Sequence, residues 1–372
     1  MSTSGRPLPG NRGTEVDDWS VQALRRRIDL LDARLLKLLE ERMEVALRAR
    51  RVKSSVRDEA RETQLLEGIR RQAQGLSRPE FAEQLFTQIM AESRALQEKD
   101  LTLCGFQGEH GAYGETAARR VAPPGAVALP CPEFADVFEG VRAGRLDLGV
   151  VPVENSLAGA VPTVNDLLVE SDDLCVVGEV YVPIRHCLLA PRETGLDDLR
   201  AAYSHPLALA QCRGYLTRHR LEARAWYDTA GAARMLAQER PEGAAAIASA
   251  LCAELYDLAI LAENVEDHPS NHTRFLALAR NPAPGPGSKC SIAFTTAHRA
   301  GALFEVLEVF SKAGVNLTRI ESRPWRGDFA RFAFLLDLAG SPQQEPVARA
   351  LAEVERRVER YRFLGAYAGA HQ

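Results

Sequence analysis

The sequence predicts three folded regions of different class: an all-helical region, an α/β region and a small α+β region. Positions 21–53 lack glycine and proline and repeat apolar residues in the 4-3-4-3 stagger of a helix seam. From Leu101 onward, short apolar segments alternate with amphipathic ones, which is typical of an α/β domain. After a proline- and glycine-rich segment at 282–287, the order strand, helix, strand, strand, helix, strand is typical of a ferredoxin-like fold.

Composition narrows the class of protein before any motif is considered. The 372 residues suffice for two or three domains, and 46% hydrophobic with 26% charged residues is ordinary for a globular protein. A net charge of −4 argues against nucleic acid as a partner, and no apolar run approaches the ~20 residues of a membrane span. The seven cysteines lack Cys-x-x-Cys spacing, so we expect no metal or cofactor and a reduced, cytoplasmic protein. Positions 1–16 are predicted to be a disordered tail.

The first helix, predicted at 21–53 within a domain at 17–100, carries charge on its apolar stripe. The apolar seam consists of Leu24, Ile28, Leu31, Leu35 and Leu38. Its next position is Arg42, and a buried arginine is costly unless an anion meets it. Lys53 follows eleven residues later on the same face, ~16 Å away, so both side chains can reach one small dianion. A coiled coil with one tolerated charge is the alternative.

The spacing of a third cation predicts a homodimer. Arg25 lies ~26 Å from Arg42 along the helix, too far to reach the same small ligand from one chain. If Arg25 also binds, it serves a pocket that an antiparallel second chain completes. A second helix is predicted at about 57–73, and a third runs from a capping box at Ser77–Glu80 to about position 99.

The helical region resembles the all-helical chorismate mutase family, in which three-helix chains form an intertwined dimer. The positions that carry the resemblance are Leu24-Arg25, Ile28-Asp29, Glu41-Arg42, Lys53, Asp58, Arg61-Glu62, Ser93 and Gln97. It implies rearrangement of chorismate to prephenate without a nucleophile, by holding a compact conformer and stabilising charge as the ether bond breaks. The implied contacts are, for the two carboxylates, Arg42, Arg61 and Arg25 of the partner subunit; for the ether oxygen, Lys53 and Gln97; for the hydroxyl, Glu62; for the pocket wall, Asp58 and Ser93.

The α/β region, predicted at 101–281, contains three segments suited to a ligand crevice. Two apolar strands meet polar residues at one end, in Val151–Ser156 and Asn271–Phe275, and buried polar groups need partners. The glycine-rich segment Gly105–Tyr113 is expected to bring backbone N–H groups to an anion. Ser204 is expected to cap the N-terminus of a helix whose apolar part spans Ala208–Arg218.

Taken together, these segments resemble prephenate dehydratase, a two-lobed fold similar to periplasmic binding proteins. The matching strings are Gly105-Phe-Gln-Gly-x-x-Gly-Ala-Tyr, Val153-Glu-Asn-Ser, Asp166-Leu-Leu, Ser204-His-Pro, Ala210-Gln-Cys and Asn271-x-Thr-Arg-Phe. The resemblance implies that prephenate loses its ring carboxylate and hydroxyl to give phenylpyruvate. Thr273 is expected to donate a proton to the leaving hydroxyl. The substrate-binding residues that it implies are Glu154, Asn155, Ser156, Ser204, Asn271 and Arg274, with Ser204 and Arg274 on carboxylates.

The C-terminal region, predicted at 289–372 after a linker at 282–288, carries two short motifs. Gly301-Ala302-Leu303 begins a predicted helix, and Glu321-Ser322-Arg323-Pro324 ends a predicted strand. Both motifs resemble those of the phenylalanine-sensing ACT domain. Small residues at a helix start let a backbone approach an amino-acid carboxylate. The resemblance implies an allosteric site for L-phenylalanine at these positions, with Asn316 as a further polar contact. A purely structural dimerisation module is the alternative.

The regions together predict a bifunctional enzyme of phenylalanine biosynthesis, inhibited by L-phenylalanine and assembled as a homodimer or higher oligomer. Three alternatives stay open at this point. The first is a monofunctional dehydratase with a helical dimerisation domain. The second is a dehydratase that prefers arogenate, the aminated analogue of prephenate. The third is a two-lobed binding protein without enzymatic activity.

Overall fold

The structure of the chain, a computed structural model, describes residues 20–53, 56–325 and 328–370. It divides the chain into two compact units, Met1–Asp100 and Leu101–Gln372. Among the described residues, no helix combines the length and the apolar character needed to cross a membrane.

The first unit consists of three helices: α1 (Val21–Arg50), α2 (Glu59–Gln72) and α3 (Pro79–Gln97). The side chain of Ser20 caps α1 by accepting from the backbone N–H of Ala23 at 3.1 Å. Asp58 caps α2 in the same way. The predicted capping box at the start of α3 is wrong, because Arg78 occupies the cap position and makes no capping bond. Pro79 begins the helix instead, where its missing N–H costs nothing.

The apolar seam of α1 is largely exposed within a single chain. The exposed fraction is 55% for Ile28, 59% for Leu35 and 60% for Leu38. An apolar stripe of this length is stable in water only when another surface covers it.

The second unit begins with a mixed sheet in the order β2-β1-β3-β11-β5, with the short β4 paired to β3. Strands β1, β2 and β3 are parallel, whereas β11 is antiparallel to both of its neighbours. Helices α4, α5 and α6 belong to the same lobe. The bounds are β1 Leu103–Gln107, α4 Tyr113–Val121, β2 Val127–Cys131, α5 Phe134–Arg142, β3 Leu148–Asn155, β4 Gly159–Ala160, α6 Pro162–Glu170, β5 Cys175–Pro183 and β11 His272–Ala279.

A second five-stranded sheet in the order β10-β6-β9-β7-β8 forms the other lobe. The chain passes between the two sheets twice, after β5 and after β10, and the predicted two-lobed architecture is thus confirmed. The predicted helix at 208–218 is two short helices that meet at Cys212. The bounds are β6 Cys187–Ala190, β7 Ala201–Ser204, α7 Pro206–Gln211, α8 Arg213–Arg218, β8 Glu222–Ala225, α9 Thr229–Glu239, β9 Ala244–Ala248, α10 Ala250–Tyr256 and β10 Ala259–Ala262.

The C-terminal region has the predicted βαββαβ order and a separate antiparallel sheet, β13-β14-β12-β15. On β14, Leu336 and Leu338 pack into the core beneath the two helices, so Asp337 between them faces the other side. That side packs against the first sheet of the unit, as the ion pairs below demonstrate. The bounds are β12 Lys289–Thr295, α11 Ala302–Lys312, β13 Leu317–Trp325, β14 Asp328–Ala339, α12 Glu345–Arg357 and β15 Arg360–Tyr367.

Candidate active sites

In the helical unit, α1 and α3 bring Arg42, Ser93 and Gln97 together. The Arg42 guanidinium donates a hydrogen bond to the hydroxyl of Ser93, which is buried. The side-chain amide of Gln97 donates to the Ser93 carbonyl at 3.1 Å, and the carbonyl oxygen Oε1 of Gln97 is buried without a partner among the described residues. A buried amide oxygen left unpaired costs about 1–3 kcal/mol, so this arrangement is suited to a polar ligand.

The other predicted residues of this unit either have other partners or are exposed. Glu62 on α2 pairs with Arg94 on α3 at 2.6 Å, and Arg94 was missed by the sequence analysis. Asp58 serves as the cap of α2, and the Arg61 guanidinium donates to Gln64 at 2.8 Å. The two remaining predicted residues, Arg25 and Lys53, are exposed in the single chain.

In the two-lobed domain, Asn155 and Thr273 face each other across the β3–β11 pair. The side-chain nitrogen of Asn155 donates to Thr273 Oγ1 at 2.9 Å and to Asn271 Oδ1 at 2.7 Å. Its side-chain oxygen accepts from the backbone N–H groups of Leu157 and Ala158 at 3.0 and 2.9 Å. The amide orientation is therefore fixed, and its two N–H bonds are shared among Thr273, Asn271 and the His272 carbonyl, which lies 3.1 Å away. In the contact with Asn155, Thr273 accepts, so this contact does not use the proton of its hydroxyl.

Two neighbours of this pair complete a small polar site on the first lobe. Ser156 ties the two segments together: its hydroxyl donates to the Ser270 carbonyl and accepts from the backbone N–H of His272, each at 3.0 Å. The side-chain nitrogen of Asn271 is buried and has no partner among the described residues. That nitrogen is an available donor beside Thr273.

Arg274 lies on the opposite face of β11 from Thr273, because successive side chains of a strand alternate between faces. It is 1% exposed, and its guanidinium contacts Glu179 at 2.7 Å, Asp337 at 2.6 Å and Glu154 at 3.1 Å. Burial alone would lower the pKa of Arg274, but Asp337 and Glu179 raise it above its usual value. The prediction that Arg274 holds a substrate carboxylate therefore disagrees with its placement, since three protein carboxylates already occupy the guanidinium. Glu154, opposite Arg274, also lies on this face.

Ser204 is the last residue of β7 in the second lobe, and it is fully buried. Its hydroxyl donates to the Ile247 carbonyl at 2.6 Å, while His205 caps α7 by accepting from the backbone N–H of Leu207. The prediction that Ser204 caps this helix is therefore wrong. Next to it, Trp226 donates its backbone N–H to the Ser204 carbonyl at 2.8 Å, and its buried indole N–H has no partner within the described ranges. Trp226 is a second candidate that the sequence analysis missed.

The glycine-rich loop after β1 does not present its backbone in the way that the sequence suggested. The N–H of Gly108 donates to the Cys131 carbonyl, and that of Gly111 donates to the Glu115 carboxylate at 2.7 Å. Glu109 in the loop accepts from Arg234 at 2.9 Å and from the Tyr227 hydroxyl at 3.0 Å, and both residues belong to the second lobe. The loop joins the two lobes with these contacts.

The predicted phenylalanine-binding residues lie at two places in the C-terminal region. Gly301 caps α11 with a φ of 85°, a conformation that favours glycine, and Ala302 and Leu303 line a pocket of about 160 Å³ with Phe332 and Phe334. Glu321, Ser322 and Arg323 lie on the edge strand β13, and Asn316 directly precedes that strand. Within one chain, the lining of this pocket does not include the β13 residues.

Comparisons with known proteins match each of these regions. Three family models match: Chorismate mutase type II over residues 24–98, Prephenate dehydratase over 104–283 and the ACT domain over 291–356. A bifunctional chorismate mutase/prephenate dehydratase of Pseudomonas aeruginosa is 35% identical over 364 residues, covering 95% of this chain and 98% of the relative. A bifunctional N-acyl-homoserine lactone acylase/prephenate dehydratase of Komagataeibacter europaeus is 42% identical over 269 residues, covering 71% and 95%.

A solved structure agrees with the fold of the second unit. It is the prephenate dehydratase of Arthrobacter aurescens in complex with L-Phe, which is 34% identical and superposes with a TM-score of 0.66. The similarity covers 72% of this chain and 90% of that one.

Proposed function

The chain belongs to the bifunctional chorismate mutase/prephenate dehydratase family, and we propose that it converts chorismate through prephenate to phenylpyruvate under feedback inhibition by L-phenylalanine. It is an enzyme with both a chorismate mutase domain and a prephenate dehydratase domain, followed by an ACT domain. The roles of individual residues, the inhibition and the assembly state are the parts of the proposal that need tests.

For the mutase reaction, the Arg42–Ser93–Gln97 group carries the proposal. Arg42 and Arg61 hold the two carboxylates of chorismate, and Gln97 and Lys53 stabilise the ether oxygen as its bond to the ring breaks. Glu62 orients the hydroxyl, while Asp58 and Ser93 shape the wall. The partner subunit's Arg25 completes the pocket.

The exposed seam of α1 supports a homodimer as the active form. A second copy of the same helix offers the complementary apolar stripe, and it brings the partner subunit's Arg25 from the far end of α1. Burial of Ile28, Leu35 and Leu38 in such an interface removes apolar surface from water, at about 25 cal/mol per Å².

For the dehydratase reaction, the single observation that carries the proposal is the hydrogen bond from Asn155 to Thr273 Oγ1. The bond between the ring carbon and the carboxylate breaks, and its electron pair forms a ring double bond as the C–O bond of the hydroxyl breaks on the other side. Thr273 gives its proton to that departing hydroxide, which leaves as water with CO₂, and the aromatic ring of phenylpyruvate results. Thr273 regains a proton from solvent.

Positioning of prephenate in this step falls to the donors around Thr273. Asn271 offers its amide nitrogen, which has no partner in the described part of the chain, and Ser156 holds the strand end that carries it. Ser204 and Trp226 lie on the other lobe, and the indole N–H of Trp226 is a candidate donor to a substrate carboxylate. Arogenate differs from prephenate by an amino group in its side chain, so it remains a second candidate substrate for the same site.

The pocket beside Ala302 and Leu303 supports the proposal that the ACT domain binds L-phenylalanine. Aromatic rings of Phe332 and Phe334 line one side of it, which suits a phenyl group. On the edge strand, Ser322 would supply a polar contact from a second copy of the domain, whereas Arg323 is already paired with Asp166 of its own chain at 2.6 Å. We also place the enzyme in the cytoplasm, in keeping with its free cysteines, of which six are buried.

The deciding experiment measures phenylpyruvate formation by the purified protein from chorismate and, separately, from prephenate, with and without L-phenylalanine. Product from both substrates, reduced by L-phenylalanine, is the expected result. Product from prephenate alone would mean that the helical unit only assembles the dimer. Product from arogenate at a higher kcat/KM would change the substrate, and release of acid from an N-acyl-homoserine lactone would add the second activity named for the Komagataeibacter relative.

A further inference from the structure

Six charged side chains form an ion cluster where the ACT sheet packs against the first dehydratase sheet. Three are cations and three are carboxylates, so the cluster is balanced in charge. All but Glu154 are nearly buried. The members are Glu154, Glu179, Arg274, Lys289, Arg319 and Asp337.

Each of the two domains contributes three members of this cluster. Glu154, Glu179 and Arg274 come from β3, β5 and β11 of the dehydratase, and the other three come from β12, β13 and β14 of the ACT domain. Arg274 contacts Asp337 at 2.6 Å, and Lys289 contacts Glu179 at 2.9 Å. Arg319 lies 3.5 Å from Glu154 and donates to the Asn165 side chain at 2.7 Å.

The ion cluster lies directly behind the proposed catalytic pair. Glu154 and Arg274 are neighbours in sequence of Asn155 and Thr273, and both pairs face each other across the same two strands. Alternation of side chains puts Asn155 and Thr273 on the front face and Glu154 and Arg274 on the back face. Any shift of Arg274 relative to Glu154 therefore moves the Asn155–Thr273 hydrogen bond as well.

Paired charges that are nearly buried tolerate little displacement, so the cluster can fix the positions of the strands that carry them. A buried ion that loses one partner is strongly destabilised, so the geometry with every charge paired is favoured over its neighbours. Two further hydrogen bonds reach the cluster: Ser291 donates to Asp337 at 2.6 Å, and the backbone N–H of Ala370 donates to Glu179 at 3.0 Å.

Strand β13 connects the ion cluster with the predicted phenylalanine-binding residues. Arg319 precedes Glu321 by two positions, and Arg323 two positions after Glu321 pairs with Asp166 on α6 at 2.6 Å. Helix α6 itself holds β3, because the Asn165 side chain donates to the Val153 carbonyl at 3.3 Å. A ligand that displaces β13 therefore acts on β3 both directly and through α6.

We propose that Asp337 and Arg319 of the ACT domain are positioning residues for the dehydratase reaction. Asp337 acts through Arg274, Arg319 acts through Glu154, and together they hold the strand pair that carries Asn155 and Thr273. Through the same contacts, L-phenylalanine bound at β13 lowers dehydratase turnover. This inference rests on the proposed function, in which Thr273 is the proton donor.

The test compares three substitutions in the full-length protein: Asp337→Asn, Arg319→Gln and, as a matched control, Asp172→Asn. Asp172 pairs with Arg360 of the ACT domain at 2.7 Å, so the control removes a carboxylate from the same domain contact but away from β3 and β11. We expect kcat for prephenate to fall about tenfold or more in the first two variants, with KM within about twofold. The reason is that a misplaced catalytic group reduces the rate of the chemical step more than it weakens substrate binding. The concentration of L-phenylalanine for half-maximal inhibition should rise severalfold, while the control and the mutase rate of every variant stay at wild-type values.

Two further measurements decide between a positioning role and a merely structural one. Thermal unfolding of each variant separates loss of fold from loss of turnover. If Asp337→Asn unfolds, Arg319→Gln decides alone, because Arg319 contacts the cluster through Glu154 at 3.5 Å, a longer contact than that of Asp337 with Arg274. A lower Tm with unchanged kcat and unchanged phenylalanine response would overturn the inference.

A parallel Thr273→Val variant separates this inference from the proposed function. If Thr273→Val keeps full dehydratase turnover, the proposed catalytic assignment fails and the positioning argument fails with it. If Thr273→Val is inactive while Asp337→Asn and Arg319→Gln behave like the Asp172→Asn control, only the positioning argument is overturned.

Discussion

The helical unit and the dehydratase–ACT unit hold their polar groups by different means. In the helical unit, Arg42 and Ser93 meet across two helices, but the apolar seam of α1 is more than half exposed at Ile28, Leu35 and Leu38. Arg25 on the same helix is exposed. In the second unit, Asn155 and Thr273 lie within one sheet, and a second domain of the same chain supports that sheet from behind. In the proposed function the first arrangement depends on another copy of the chain, whereas the Asn155–Thr273 pair is supported within one chain.

The largest expected effect tests the polar site of the dehydratase–ACT unit. Thr273→Val keeps the shape of the side chain and removes its proton, so we expect dehydratase kcat to fall by about 10²–10⁴-fold. The mutase rate of the same sample serves as the internal control and should be unchanged. A stopped assay of phenylpyruvate from prephenate measures the effect, and residual activity above a tenth of wild type would contradict it.

A large loss of mutase activity is expected from the corresponding substitution in the helical unit. Arg42→Ala removes a cation that the proposed mutase site uses for charge stabilisation, and we expect mutase kcat/KM to fall by about 10²–10³-fold. Consumption of chorismate measures this, with turnover of added prephenate as the control. A mutase rate that survives the substitution would favour a helical domain that only assembles the dimer.

The dependence on a second copy is tested by a charge in the seam. Leu35→Glu places like charges opposite one another in the proposed interface, so we expect sedimentation velocity to show a shift towards monomer and mutase activity to fall with it. Glu40→Gln on the same helix is a surface control with the opposite change of charge. If Leu35→Glu stays dimeric and fully active, the seam is not the interface.

The smallest expected effect concerns pH and only the second unit. His186 is buried, its ring contacts the Tyr113 hydroxyl and Gln211, and burial lowers its pKa, although Gln211 and Glu266 act in the opposite direction. The unfolded chain therefore binds a proton that the folded chain does not, and stability falls as pH drops below about 6.5, by at most about 1.4 kcal/mol per pH unit. Chemical unfolding at pH 5 and pH 7.5 should show a weaker pH dependence in His186→Gln than in the wild type. An unchanged dependence would contradict this reading.

Long periodic segments made much of the fold predictable from sequence. Helix α1 and the βαββαβ order of the ACT domain follow from the period of their apolar residues. Short elements were harder: strands β6, β7 and β8 have four residues each, too few for a period to be visible. The helix predicted over 208–218 breaks at Cys212, where Asp267, distant in sequence, accepts from the Gly214 N–H at 3.0 Å and donates its own N–H to the Gln211 carbonyl at 2.7 Å.

The site was predictable only as far as neighbouring residues share a role. Thr273 and Asn155 lie together because their strands pair, but Arg274 in the same motif faces the other way, towards a carboxylate 63 positions further along the chain. Nothing near Arg274 in sequence announces Asp337. Ser204 was predicted to cap the helix because serine is a common capping residue. In the structure His205 caps it instead, because its ring nitrogen accepts from the backbone N–H of Leu207.

The balanced ion cluster also limits how these domains can be exchanged among relatives. A chimera that carries a foreign ACT domain leaves Arg274 and Glu179 facing whatever residues occupy positions 289, 319 and 337. Unless those residues supply two cations and a carboxylate, the graft buries unpaired charge on the back of the catalytic strands. We therefore expect the dehydratase and its ACT domain to tolerate exchange only as a pair.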